Sequence, residues 1–84
     1  MNRDDILAAL RDLLRAQKQT QFKAVAGSIT PETRIDAIGF DSLSILDFMY
    51  EVEDRFGIRT EPAELVNLEK VQDLVDYLAA KVTR

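Results

Sequence analysis

Apolar side chains fall at Ile6, Leu10, Leu13 and Leu14, an i, i+4, i+7, i+8 spacing that predicts an amphipathic helix, and Gln17 extends the same stripe. Asp4 and Asp5 stand where the positive end of a helix dipole favours acids, so this helix is expected from about Asp4 to about Lys18. No breaker occupies 17–21, and helix can run on toward Phe22 or Val25 before Gly27 stops it. Gly27-Ser28 and Thr30-Pro31 then mark a long connection, in which Pro31 opens at most a short turn and Ile29, Ile35 and Ile38 pin the chain to the core. A second helix follows from Asp41, its natural N-cap, with Ile45, Phe48, Met49, Val52 and Phe56 on one stripe and Gly57 as the stop. Pro62 suits the first turn of a short third helix reaching about Val66, with Leu65 inward. Asn67 is expected to cap the last helix, where Val71, Leu74, Val75, Leu78 and Val82 repeat at helical spacing. No segment alternates with period two. The reading is an all-α four-helix bundle with a short third helix and a long loop between helices 1 and 2.

Eighty-four residues make one domain, 1–84, with room for one core and little for a deep catalytic cleft. The chain has no cysteine and no histidine, which removes the thiolate nucleophile, the usual general base near neutral pH and the commonest metal ligands. Glu61, Glu64 and Glu69 show no spacing that asks for paired-carboxylate chemistry, so no catalytic or metal residue is assigned. The net charge of −4 is uneven: residues 1–34 carry six Lys/Arg against four Asp/Glu, and residues 35–84 carry five against eleven. A partner of the C-terminal half should therefore be basic, and nucleic acid, which needs a basic stripe, is a poor candidate. Met1-Asn2-Arg3-Asp4-Asp5 is acidic where a signal peptide is basic, and no apolar run reaches membrane-spanning length, so a cytoplasmic monomer without membrane insertion is expected.

Ile38-Gly39-Phe40-Asp41-Ser42-Leu43 lies where the long loop meets the second helix, placing a serine at the helix start beside a carboxylate. With Thr30-Pro31-Glu32 and Ile35-Asp36 before it, and Val52-Glu53-Asp54-Arg55-Phe56-Gly57-Ile58 after it, this stretch closely resembles the acyl carrier proteins of fatty acid and polyketide synthesis. The resemblance runs on to Val71-Gln72-Asp73-Leu74-Val75-Asp76-Tyr77-Leu78 and agrees in element order. It implies that Ser42 is the attachment point of 4′-phosphopantetheine, transferred from coenzyme A by a phosphopantetheinyl transferase, with Asp41 and Leu43 beside it. The arm would bring the thiol that the sequence lacks, and acyl groups would ride on it as thioesters. A phosphodiester at a helix N-terminus is favoured by free backbone N–H groups and the dipole, and Gly39 gives the turn its freedom. Taken alone, helix logic also allows Ser42 to be a plain capping residue.

The resemblance makes Leu43, Asp47, Tyr50, Glu51 and Asp54, on the face of the second helix that the core does not use, a docking surface for basic patches. Those patches belong to the transferase and to acyltransferases, ketosynthases or other acyl-processing enzymes; on spacing alone the same stripe reads as a solvated helix face. It also implies an acyl pocket between the second and third helices, lined by Phe48, Val52, Leu65 and Leu68, which bulky Phe48 would shorten. Ser44 replaces a frequent acid, Phe40 a frequent small residue, and Arg55 interrupts the acidic run. With the mild net charge, these departures point to a specialised bacterial member. The chain is thus expected to be a carrier, not an enzyme. The alternatives are a peptidyl or aryl carrier of nonribosomal synthesis and an unmodified acidic helical adaptor.

Overall fold

The computed structural model describes residues 2–18 and 20–82, with the side chains of Ser42 and Pro62 outside the described part. Among the described residues there are six helices: α1 (Arg3–Arg15), α2 (Thr20–Ala26), α3 (Ile35–Ile38), α4 (Ser42–Phe56), α5 (Pro62–Leu65) and α6 (Val71–Val82). Among the described residues the only β-type pairing is an isolated bridge between Arg34 and Lys70, so the all-α reading holds. The expected four helices gain two, α2 and α3, from the stretch read as a helix tail and a loop.

α1 starts where Asn2 caps it, the side chain accepting from the Asp5 N–H at 2.8 Å, and buries Ile6, Ala9, Leu10 and Leu14. It stops at Arg15 rather than Lys18, although no glycine or proline intervenes. The helix does not run on to α2. A continuous helix over 3–26 would be about 36 Å long, whereas the whole molecule extends 34 Å along its longest axis. The chain turns at 16–18 instead, and Phe22 and Ala26 on α2 fold back into the core. Gln17 holds the turn: it is buried, and its amide donates to the Leu13 carbonyl and to the Glu51 carboxylate of α4.

Beyond Gly27 the long connection is stitched down. Arg11 donates to the Ile29 carbonyl at 2.8 Å, and Ile29 and Ile38 are buried as expected. The Ile35 N–H bonds the Glu69 carbonyl at 2.8 Å, Val71 bonds Thr33 at 2.8 Å and Gln72 bonds Pro31 at 2.9 Å, which joins the loop to the start of α6. That stitching overturns Asn67 as the cap of the last helix. Residues 69–71 are drawn into pairing with 33–35, so α6 cannot begin before Val71, and Asn67 only closes the turn after α5. Lys70 stands at the cap position, its carbonyl accepting the Leu74 N–H at 3.2 Å, and the Asp73 carboxylate reaches back from the first turn to accept the Glu69 and Lys70 N–H groups at 3.1 Å each.

α4 meets expectation at both ends, with Asp41 as N-cap and Gly57 at φ 66° closing it in the left-handed region. Its inner stripe of Phe48, Met49 and Val52 is buried, packed against α1 and sharing one core with side chains of α6, with Ile45 and Phe56 packed at the edge. At Gly57 a Cβ would meet nothing within 4 Å, so the conformation alone demands glycine. Gly57→Ala should therefore cost about 1–2 kcal/mol, read as a fall of roughly 4–8 °C or more in the thermal midpoint.

Four carboxyls lie below their usual range because they accept hydrogen bonds in the folded state. Asp73 is lowered by the Lys70 and then the Glu69 N–H, Glu53 by the Thr60 N–H and hydroxyl, Asp41 by the Ser44 N–H and hydroxyl, and Asp36 by the Arg34 guanidinium. A depressed folded pKa contributes stability that is complete above the unfolded value, about 4, and disappears as pH falls through the lower folded value. The thermal midpoint should hold from pH 7 to about 5 and fall below about 4. Asp73→Asn should lower the midpoint at pH 7 and flatten the acid slope, as followed by circular dichroism; an unchanged slope would mean Asp73 contributes nothing to it.

Candidate functional site

The site is the junction between the loop and α4. Gly39 ends α3 at φ 100°, a left-handed conformation that sends the chain toward α4, and its carbonyl accepts from the Gln21 side chain of α2 at 3.3 Å. Phe40 is half-buried, its ring 4.9 Å from Phe22 of α2 and 5.0 Å from Phe48 of α4 in tilted stacks. Phe40, standing where a small residue is frequent, thus links two helices, and α2, for which the sequence suggests no role, buttresses the site. No local spacing signals it, because the three rings come from three separate segments and meet only in the fold.

Asp41 then caps α4. Its Oδ1 accepts the Leu43 N–H at 3.1 Å, the Ser44 N–H at 2.7 Å and the Ser44 hydroxyl at 2.9 Å, while the Asp41 N–H donates back to Ser44 Oγ at 2.9 Å. This reciprocal box gives Ser44 a function where an acid was the expected type. It also corrects the expectation of free N–H groups at this helix end: those of Leu43 and Ser44 already belong to the Asp41 carboxylate. Ser42 is the first residue of α4, and its side chain lies outside the described part. The cap is the residue before it.

Along the outer face of α4, Leu43 is 74% exposed and Tyr50 69%, with Asp47 and Asp54 exposed beside them. Leu46, 43% exposed, joins them; it stands three residues after Leu43 and four before Tyr50, so helical spacing alone could have found it. Val66, at the end of α5, is 80% exposed and was also missed. Glu51 differs from its neighbours, because its carboxylate receives the Gln17 amide and is drawn toward the α1–α2 turn.

Inside, Phe48, Leu65 and Leu68 line an apolar cavity of about 70 Å³ together with side chains of α1, α3 and α6. Val52 is fully buried and is not part of the cavity wall. Among the described residues no helix is long and apolar enough to cross a membrane.

The family model described as "Phosphopantetheine attachment site" matches residues 4–78. The chain is 39% identical over 66 residues to an acyl carrier protein of Onion yellows phytoplasma, covering 77% of this chain and 87% of that one. It is 31% identical over 84 residues to an acyl carrier protein of Acidothermus cellulolyticus, covering 94% and 90%. It is 26% identical over 83 residues to Nodulation protein F of Rhizobium leguminosarum bv. trifolii, covering 95% and 90%.

The box makes its two members interdependent. Asp41→Ala and Ser44→Ala should each lower the thermal midpoint by a few degrees, and the double variant by clearly less than the sum; additive losses would mean the two caps act separately.

Proposed function

The chain belongs to the phosphopantetheine-attachment family of acyl carrier domains, and from that premise we propose that Ser42 bears the prosthetic group and that the protein delivers acyl intermediates to biosynthetic enzymes. Members of this family are non-catalytic carriers with covalently attached 4′-phosphopantetheine, and they meet phosphopantetheinyl transferases and acyl-processing enzymes. The observation that carries the assignment is the capping box. Because Asp41 and Ser44 satisfy the helix end between them, the serine at the first helical position is not needed as a cap, and capping was the competing reading of it.

The residues present suit the group. Ser42 stands at the start of a 15-residue helix, where the dipole favours a phosphodiester even with the first N–H groups already bonded. When bound, the group supplies a thiol that holds acyl chains as thioesters. The protein's own part is to hold the junction rigid: Gly39 turns the chain, Phe40 is clamped between two rings, and Asp41, kept ionised by its bonds to Ser44, locks the helix start. Leu43, Leu46 and Tyr50 offer an apolar strip flanked by Asp47 and Asp54, a surface suited to basic patches on partner enzymes. Glu51 contributes charge at the side, through its place beside Gln17. The cargo belongs to fatty acid, polyketide or a related dedicated biosynthesis, and the carrier domain works as a cytoplasmic monomer.

Incubation with coenzyme A, Mg²⁺ and a promiscuous transferase should add one phosphopantetheine unit by intact mass, and Ser42→Ala should add none. No gain, with a known carrier modified in the same tube, would leave an acidic adaptor. Asp47→Arg combined with Asp54→Arg should reduce kcat/KM for the transferase by roughly tenfold or more at low salt, with the gap narrowing as salt rises.

A further inference from the structure

Between the surface and the inner cavity lies a partition. An open groove beside Asp41, running between α3 and α5, shares Ile35, Phe40, Ile45, Leu65 and Leu68 with the cavity behind it, so these side chains are what an acyl chain would have to pass to go inward. The cavity beyond them is about 70 Å³, roughly half the ~150 Å³ that admits a benzene ring and room for about two or three chain carbons. Four members of the partition are aliphatic side chains, which change rotamer readily. Phe40 is different, since its ring contacts Phe22 on one side and Phe48 on the other, and moving it gives up both stacks. Its backbone is held as well: Gly39 before it is bonded to Gln21, and Asp41 after it is locked into the capping box.

We propose that Phe40, wedged between Phe22 and Phe48, is a chain-length stop: the protein shelters only the first few carbons of an acyl group and leaves the remainder of a longer chain outside the fold. The proposal rests on the reading of Ser42 as the attachment site of an acyl-bearing arm. It assigns Phe40 and Phe22 as specificity-determining residues and places the cargo in the class of short acyl groups, or of longer ones handled with their tails exposed. The stop is built partly from α2, so this helix bears on cargo through Phe22.

The test loads the full chain from butyryl-, octanoyl- and hexadecanoyl-coenzyme A with a promiscuous transferase, confirms loading by intact mass, and compares thermal midpoints. In the wild type the midpoint should stay within about 1 °C across the three chains, because added carbons find no apolar interior. In Phe40→Ala the midpoint should rise with chain length by several degrees from butyryl to hexadecanoyl, and Phe22→Leu, which removes one stack, should give an intermediate rise. Phe40→Leu replaces the alanine variant if that does not fold. A wild type whose midpoint climbs with chain length as steeply as the variant's, or variants as indifferent to length as the wild type, would overturn the stop while leaving the carrier intact. Absence of any mass gain on the wild type would instead sink the carrier reading, and the stop with it.

Discussion

Phe48, Met49 and Val52 of α4 are the side chains around which the other elements are arranged. They are almost fully buried, and in a chain this small there is only one core for them to enter. α1 lies against α4 and carries α6 and α2 on its other sides, α2 adds Phe22 to the same core, and the long connection is pulled across to close the side. Burying that stripe fixes the rotation of α4 about its axis. A helix with one face held inside must hold the opposite face out, which leaves Leu43, Leu46, Asp47, Tyr50 and Asp54 at the surface. The character of this outward face is thus a consequence of core packing.

The same burial would be of little use to a carrier if the N-terminal end of α4 were frayed. Two devices prevent that. The Asp41–Ser44 box satisfies backbone donors that would otherwise be unpaired, and the Phe22–Phe40–Phe48 stack ties the preceding turn to two helices at once. They hold the residues on either side of Ser42, Asp41 and Ser44 through polar bonds and Phe40 through packing. The aromatic stack also occupies space that a smaller residue at position 40 would leave open, so rigidity at the junction and a small interior have one structural origin.

The ends of the structure are held by weaker means. Arg3 pairs with Asp76 at 2.6 Å and Lys70 with Glu32 at 3.6 Å, but all four side chains are substantially exposed, and such pairs add little. The backbone bonds between 31–35 and 69–72 matter more. They span the chain from its loop to its last helix and convert a segment without regular structure into a wall of the bundle.

Local chemistry made much of this legible in advance. The stripe of α4, its Asp41 cap and its Gly57 stop are properties of neighbouring residues, and so are the Pro62 start of α5, the apolar repeat of α6 and the Asp-Ser-Leu motif with its surroundings. What escaped was set by distance in space. Nothing between Gln17 and Gln21 breaks a helix; the chain turns there where Gln17 finds Glu51 thirty-four positions away and Phe22 returns to the core. Asn67 is a good cap by type, yet the pairing of 69–71 with 33–35 moved the helix start beyond it. Phe40 looked only like a departure from pattern until Phe22 and Phe48 closed around it. Sequence alone thus determined which faces are apolar, where α4 begins and which residue stands at its head, because those depend on spacing and short-range hydrogen bonds. Tertiary structure decided where α1 ends, what α2 supports and how little room remains inside, because those depend on side chains that meet only when the chain is folded.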